Sequence, residues 1–403
     1  MQSRLALIFI LLTEMIDSIG IGIIFPVMPE LLGQVTGADI STASLWGGVL
    51  ATSFALMQFL FGPIVGNLSD SYGRRPVMLA ALAVMSVDYL IMAVAGSIWL
   101  LLIGRIIAGI AAATYSTASA YVADISSPVE RARNFGYIGA AFGVGFILGP
   151  LLGGISAELG PRAPFWLAAG IAALNMVFGF FVLPESLKTE NRRAFSPGRA
   201  NPFASFRAIG HLPGLNRYLL IMFVYTLAFQ SYGSVWAFFG TERFGWNAWW
   251  NGLSLAAFGL CMALVQSLAV APSIRRWGEK RTAGYGMAID VVAFGFYGFI
   301  TSGFWALVFT PVAAAAGIAG PALQGLMTNA TPDDRQGELQ GVLASVGAVA
   351  MGLAPLIMTS VFYVFTKPGA LIYSPGAPFT LAAFLMVVCV VILVADPRES
   401  TRR

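Results

Sequence analysis

Gly66-Asn67-Leu68-Ser69-Asp70-Ser71-Tyr72-Gly73-Arg74-Arg75-Pro76 is a short polar island between two apolar runs, residues 43–66 and 76–96. Each flanking run is long enough to cross a bilayer core as a helix, which takes ~20 mostly apolar residues. The island is therefore a tight return between two membrane spans. Working outward, the same alternation of long apolar run and short polar turn places spans at about residues 5–30, 43–66, 76–96, 98–122, 136–157, 164–184, 217–239, 250–273, 282–301, 304–328, 337–365 and 378–395. Composition agrees: of 403 residues, 58% are hydrophobic and 10% carry charge, against ~25% charged in soluble chains. A soluble globular fold is excluded. Apolar runs of this length also exclude a transmembrane barrel, whose strands alternate over short segments.

The first run is read as a span rather than a secretory leader, because it carries Glu14 and Asp17, extends to Pro29 and lacks a small-residue cleavage site near its end. With the N-terminus inside, the cytoplasmic loops and tails hold 19 of the Lys and Arg residues. These are Arg4, Arg74, Arg75, Arg131, Arg133, Lys188, Arg192, Arg193, Arg199, Arg207, Arg217, Arg275, Arg276, Lys280, Arg281, Arg335, Arg398, Arg402 and Arg403. Only Arg162, Arg243 and Lys367 fall outside, and Arg105 lies within a span. This positive-inside bias places both termini in the cytoplasm and accounts for the net charge of +4 without any nucleic-acid partner. Cys261 and Cys389 sit in apolar runs, and His211 has no Cys or His neighbours, so no metal site is expected.

A stretch from Glu185 to Asn216, with Pro197, Pro202 and Pro213, divides six spans from six and reads as a cytoplasmic linker between an N-terminal half, 1–184, and a C-terminal half, 217–403. The halves repeat at a nearly constant offset. Asp88 answers Asp290, Ser127-Pro128-Val129-Glu130-Arg131 answers Thr331-Pro332-Asp333-Asp334-Arg335, Pro150 answers Pro355, and Trp99 answers Trp305. The offset implies internal duplication. An all-α membrane chain of twelve helices in two pseudo-symmetric six-helix halves resembles the major facilitator fold, in which substrate binds near mid-membrane between the halves.

Charge within a span is costly, so Glu14, Asp17, Asp88, Arg105 and Asp290 are functional candidates. Glu14 and Asp17 are three residues apart on one helix face, and two carboxylates in low dielectric resist holding two charges. At least one is suited to take up and release a proton. In the loop after span two, Gly66 and Gly73 suit a tight turn, Asp70 offers a capping carboxylate, and Arg74 and Arg75 anchor the loop on the inner face. This spacing matches the major facilitator signature; Arg276-Trp277-Gly278-Glu279-Lys280-Arg281 is its degenerate copy in the second half. Span five carries Gly145-Phe146-Ile147-Leu148-Gly149-Pro150-Leu151-Leu152-Gly153-Gly154. Its glycines permit close helix approach and its proline frees a carbonyl. With this spacing, the motif resembles that of proton-coupled drug antiporters.

Several further stretches resemble the tetracycline efflux proteins: Ile16 to Pro29, Leu56-Met57-Gln58, Ser86-Val87-Asp88-Tyr89, Gly104-Arg105-Ile106, Thr241 to Asn247, Ala288-Ile289-Asp290, Pro321 to Gly325 and Gln336 to Gly341. The resemblance implies that Asp17, Asp88, Asp290, Arg105, Gln58 and Gln266 act in drug binding and proton exchange, and that Asp70 belongs to a cytoplasmic gate. Two positions depart from that pattern. Met262, four residues before Gln266, stands where those exporters carry a histidine, and methionine binds a hard cation poorly. Glu14 adds a carboxylate. Tyr225, Phe229, Tyr232 and Trp236 recur at helical spacing and offer walls for a planar ligand.

The expected function is proton-coupled efflux, across a bacterial inner membrane, of a drug-like amphipath: tetracycline or a related metal-chelated or cationic compound. The alternatives are an exporter of the same fold that does not act on tetracycline, and a proton-coupled uptake symporter. No enzyme activity is expected, since no nucleophile elbow, phosphate loop or metal cluster is present. No resident cofactor is expected either: protons are the coupling ion, and any divalent metal travels with the substrate. The lipid bilayer is the surrounding partner, and the working unit is a monomer.

Overall fold

The computed structural model describes residues 2–112, 114–198, 200–207 and 214–395. Arg199, His211, Pro213, Arg398, Arg402 and Arg403 lie outside the described residues. Among those described, eleven helices are long and apolar enough to cross a membrane. The remaining expected span, 282–301, occupies the end of the helix Val270–Phe299, beyond a break at Gly278, and its lower apolarity reflects Asp290 and the small and aromatic residues around it. Several helices run past the hydrocarbon thickness into the polar zone: span one is Gln2–Thr36, span two Ile40–Tyr72, span five Pro128–Ala157 and span eleven Gln336–Thr366. Span three is Arg74–Val94, span six Ala163–Val182, span eight Ala248–Leu268 and span twelve Ala377–Val394.

Among the described residues, three spans are broken. Span four is Ile98–Ala111 followed by Thr114–Ile125, span seven is Asn216–Phe229 followed by Ser231–Phe244, and span ten is divided at Phe309 and again over Ala316–Ile318. A break frees backbone groups, and in a membrane the protein itself must satisfy them. At the first break the Gln58 side chain donates to the Ala112 carbonyl at 2.8 Å.

The chain forms two compact units. The first comprises residues 1–38, 53–202 and 246–256, the second 39–52, 203–245 and 257–403. The expected division into contiguous halves is thus refined in two ways. The linker expected over 185–216 docks on the first unit up to Pro202, and the starts of spans two and eight each belong to the unit of the other half. Small residues sit at both contacts. Gly48 lies against Thr359 and the Pro355 carbonyl, while Gly252 lies against Gly154 and the Pro150 carbonyl. A side chain at either glycine would prevent that approach.

The first unit's core gathers Phe9, Ile10, Met78, Leu82, Tyr121, Val122 and Ile138, all but fully buried. In the second unit Tyr232 and Trp236 pack with Phe294, Tyr297 and Phe379 at ring-centroid distances of 4.9 to 6.4 Å. The expectation of an aromatic wall for a ligand is corrected here. Tyr225, Tyr232 and Trp236 are buried and Phe229 is half-buried; Tyr225 stacks on Phe229, Phe229 meets Tyr232, and Tyr232 meets Trp236 and rings of neighbouring spans.

Candidate transport site

In the first unit, span one carries Glu14 and Asp17. Glu14 is 1% exposed and its Oε1 has no hydrogen-bond partner among the described residues; Asp17 is half-buried. The two carboxylates repel each other, and Asp17 also acts on the Tyr89 hydroxyl of span three. Gly20 admits that tyrosine, because a Cβ there would strike the Tyr89 ring.

Span five seats directly on this helix. Cβ atoms at Gly145, Gly149 and Gly153 would strike the carbonyl oxygens of Met15, Ile19 and Ile23 in turn. Glycine every fourth residue on one helix thus faces a carbonyl every fourth residue on the other. Pro150 packs on Gly22, with its Cδ 2.7 Å from the position a Cβ would take, and Gly154 meets the Ala248 carbonyl at 3.0 Å on the same basis. Ser18 ties the contact by donating to the Phe142 carbonyl at 2.7 Å.

Asp88 and Arg105, on spans three and four, form a buried ion pair. Arg105 also stacks over Phe54 at 5.2 Å, and Gly104 leaves room for the Asp88 carboxylate. Arg105 is therefore committed to one acid. Its charge is compensated in place, as a buried charge requires.

In the second unit Asp290 is 0% exposed, and neither carboxylate oxygen has a hydrogen-bond partner among the described residues. Tyr225, Tyr232 and Cys389 lie within electrostatic reach of its carboxyl group. The nearby Tyr232 hydroxyl also lacks a partner among the described residues. Met262 packs into span ten at Gly317, where a Cβ would lie 2.6 Å from its Sδ, and Gln266 is exposed. The thioether is used in helix packing.

The signature loop differs from its sequence reading. Gly66 does not turn the chain: it lies inside the helix Ile40–Tyr72 with open space around it. The turn is made by Gly73 alone, at φ 113° and ψ 157°, a region closed to residues with a Cβ. Asp70 does not cap a helix either. It lies in the last turn of span two and takes Arg74 Nη1 at 2.6 Å. Arg74 reaches on to Ser69 at 3.1 Å and Asp124 at 3.4 Å, while Arg75 turns to the Phe180 carbonyl at 2.7 Å. The cap itself comes from Glu185, which accepts from the backbone N–H of Arg74 at 2.9 Å and of Arg75 at 3.3 Å. Asp124, Glu185, Tyr89 and Gly252 were not singled out in the sequence. Asp124 had a signal, as an acid just past the end of an apolar span. Glu185 had none, because its partner stands 111 residues away.

Acids buried within membrane-length helices, and a glycine ladder seating one span on the acid-bearing helix, define a multi-pass membrane transporter. Residues 10–355 match the family described as Major Facilitator Superfamily, and the chain belongs to it, a family of transporters rather than enzymes. Among curated relatives, it is similar to "Tetracycline resistance protein, class C" of Escherichia coli, with 42% identity over 90% of this chain and 91% of that protein. It is likewise similar to "Tetracycline resistance protein, class G" of Vibrio anguillarum, with 37% identity over 97% of each chain. Among solved structures, the human organic anion transporter MFSD10 (TETRAN) superposes with a TM-score of 0.68 at 26% identity, covering 97% of this chain and 99% of the other.

Proposed function

We propose that this transporter exports tetracycline, or a related metal-chelated or cationic amphipath, across a bacterial inner membrane in exchange for protons. The observation that carries proton coupling is Asp290: an acid with no exposed surface and no hydrogen-bond partner among the described residues is costly when charged and stable when protonated. The similarity to tetracycline resistance proteins supports the substrate. Proton uptake neutralises Asp290 and one of the Glu14 and Asp17 pair, and release recharges them. The same charged carboxylates attract a cationic group on the substrate, so proton and substrate compete. Arg105, held by Asp88, cancels that one acid, so the negative charge of the first unit's membrane interior rests on Glu14 and Asp17. Gln58, Gln266 and Met262 line the substrate's route, and alternating access moves it outward. Gly66, Asp70, Gly73, Arg74 and Arg75 form the cytoplasmic gate, and the glycine ladder with Pro150 is the antiporter motif. Both termini are cytoplasmic by the charge count, the working unit is a monomer, and any divalent metal crosses as part of the cargo.

Met262 favours a second reading, an exporter of the same fold that does not act on tetracycline. Its sulfur packs on Gly317, and a thioether is a poor ligand for a metal chelate.

Reconstituted vesicles under an imposed pH gradient test the proposal. Tetracycline with Mg²⁺ is expected to move against the gradient, with proton counterflow read by a pH dye. Transport of another amphipath with proton counterflow, but none of tetracycline, selects the second reading. Movement of substrate and protons in the same direction would overturn antiport.

A further inference from the structure

The chain leaving span six does not simply swing free toward the second half. From Pro184 to Ser196 it is fastened to the signature loop and to the inner end of span four. The Pro184 carbonyl accepts from the Tyr121 hydroxyl at 2.8 Å, and Ser186 donates to Asp124 at 3.0 Å. Arg193 N–H donates to the Asp70 carbonyl at 3.1 Å, and Asn67 Nδ2 donates to the Ser196 carbonyl at 2.7 Å. At the centre lies Glu185. Its two oxygens take the first two N–H groups of span three, and its Oε1 takes the Leu187 N–H at 3.0 Å. Gly73, the residue before that helix, has no side chain with which to cap it. A Cβ at Gly73 would strike the Glu185 carboxylate. The position of Glu185 therefore requires glycine at 73.

We propose that Glu185 is a positioning residue for the cytoplasmic gate, and that the segment 184–196 is a strap holding the loop in the form that pairs Arg74 with Asp70 and Asp124. The physical basis is simple. The N-terminus of a helix presents unsatisfied N–H groups and a positive partial charge, and a carboxylate there satisfies both. Asp70 is occupied by Arg74, so the anion is supplied from a distant part of the chain. Because Asp124 binds both Arg74 and Ser186, the strap and the gate share a residue. Opening the gate then requires the strap to move with it. This inference rests on the reading of residues 66–75 as a gate.

The test uses the full-length protein in lipid nanodiscs and vesicles. Hydrogen exchange at the amides of Arg74 and Arg75 is expected to quicken about tenfold in Glu185→Ala, the scale of a lost helix cap, and less in Glu185→Gln, which keeps one acceptor. In transport, Glu185→Ala is expected to lower kcat for tetracycline while leaving KM near its starting value, since the residue positions a gate and touches no substrate. Unchanged exchange at Arg74 and Arg75, or a rise in KM at constant kcat, would overturn the proposal. Should Glu185→Ala fail to insert, Glu185→Gln carries the same comparison, and unchanged exchange in it is equally fatal. Asp70→Asn separates the two readings. If Asp70→Asn transports normally, the gate reading fails; if it is slowed while the Glu185 variants alter neither exchange nor kcat, only the strap fails.

Discussion

Gly73 and Gly278 stand at equivalent places in the two halves, and both turn the chain through positive φ, at 113° and 74°, with ψ of 157° and 165°. Around them the chemistry has diverged. After Gly73, Arg74 binds Asp70 and Asp124, and Glu185 caps the helix. After Gly278, Glu279 replaces the arginine and accepts from Asn329 at 2.6 Å, where the first half has Asp124. The buried acids show the same asymmetry, Asp88 being paired with Arg105 and Asp290 lacking a hydrogen-bond partner among the described residues. The span-five glycines Gly145 and Gly149 are answered in span eleven by the buried alanines Ala350 and Ala354. Duplication has preserved backbone geometry, which any sequence with glycine at the turn can adopt. It has left side-chain chemistry free to specialise: a buried ion pair and close packing in the first half, and in the second an acid without a hydrogen-bond partner among the described residues.

The sharpest way to break this comparison is at the acids. Asp290→Asn is expected to abolish uphill export, by about a hundredfold or more, the scale of losing an essential proton-transfer group. Downhill exchange of substrate between equal pH compartments should persist. Vesicle transport with and without a pH gradient measures both, and retained uphill export would assign coupling elsewhere.

Next in size is Arg105→Leu, which strands the Asp88 charge. Breaking a buried pair costs about 3–5 kcal/mol, read as a lowered unfolding midpoint in detergent. Asp88→Asn added to Arg105→Leu should recover most of the loss, since neither buried charge then remains. If the double variant is no more stable than the single one, the pair is not the reason for the cost.

Smaller again is Gly149→Ala. The new Cβ would sit 2.6 Å from the Ile19 carbonyl and 2.8 Å from the Gly22 Cα, overpacking worth about 1–3 kcal/mol. Ala354→Gly in the second half adds no atoms and should cost less. Equal losses at the two positions would mean that the ladder is not special to the first half.

The smallest effect concerns two caps outside the bilayer core. Asp39 accepts from the Thr42 N–H at 3.1 Å at the start of span two, and Asn247 accepts from the Trp250 N–H at 3.2 Å at the start of span eight. Hydrogen bonds from Thr42 hold the Asp39 carboxyl below its ordinary range. Its share of stability is therefore present at neutral pH and lost as pH falls through and below about 4. Asp39 is exposed, so this amounts to a few tenths of a kcal/mol. Asp39→Asn should keep the cap and remove that pH dependence, measured by unfolding across pH 3 to 6. Asn247→Ala should weaken its helix equally at every pH.

Much of the architecture could be read directly from the chain because membrane insertion is governed by local, additive quantities. Apolar length sets the spans, and a nearly constant offset reveals the duplication. The acids were equally readable, since charge is conspicuous where it is expensive. The signature loop was readable only in part. Arg74 and Arg75 were located, but Gly66 proved to be ordinary helix and Asp70 an ion-pair partner rather than a cap. The aromatic residues of span seven misled because helical spacing shows a shared face without showing what covers it.

By itself, then, the sequence determined that this is a duplicated, multi-span helical transporter with a few charges set inside its spans, because each of those properties depends on a residue and its near neighbours. Tertiary structure alone decided which acid Arg105 neutralises, which carbonyl each span-five glycine meets, and that Glu185 closes the turn at Gly73. Those pairings join residues far apart in the chain. Their energies depend on distance in space, and separation along the chain does not encode that distance.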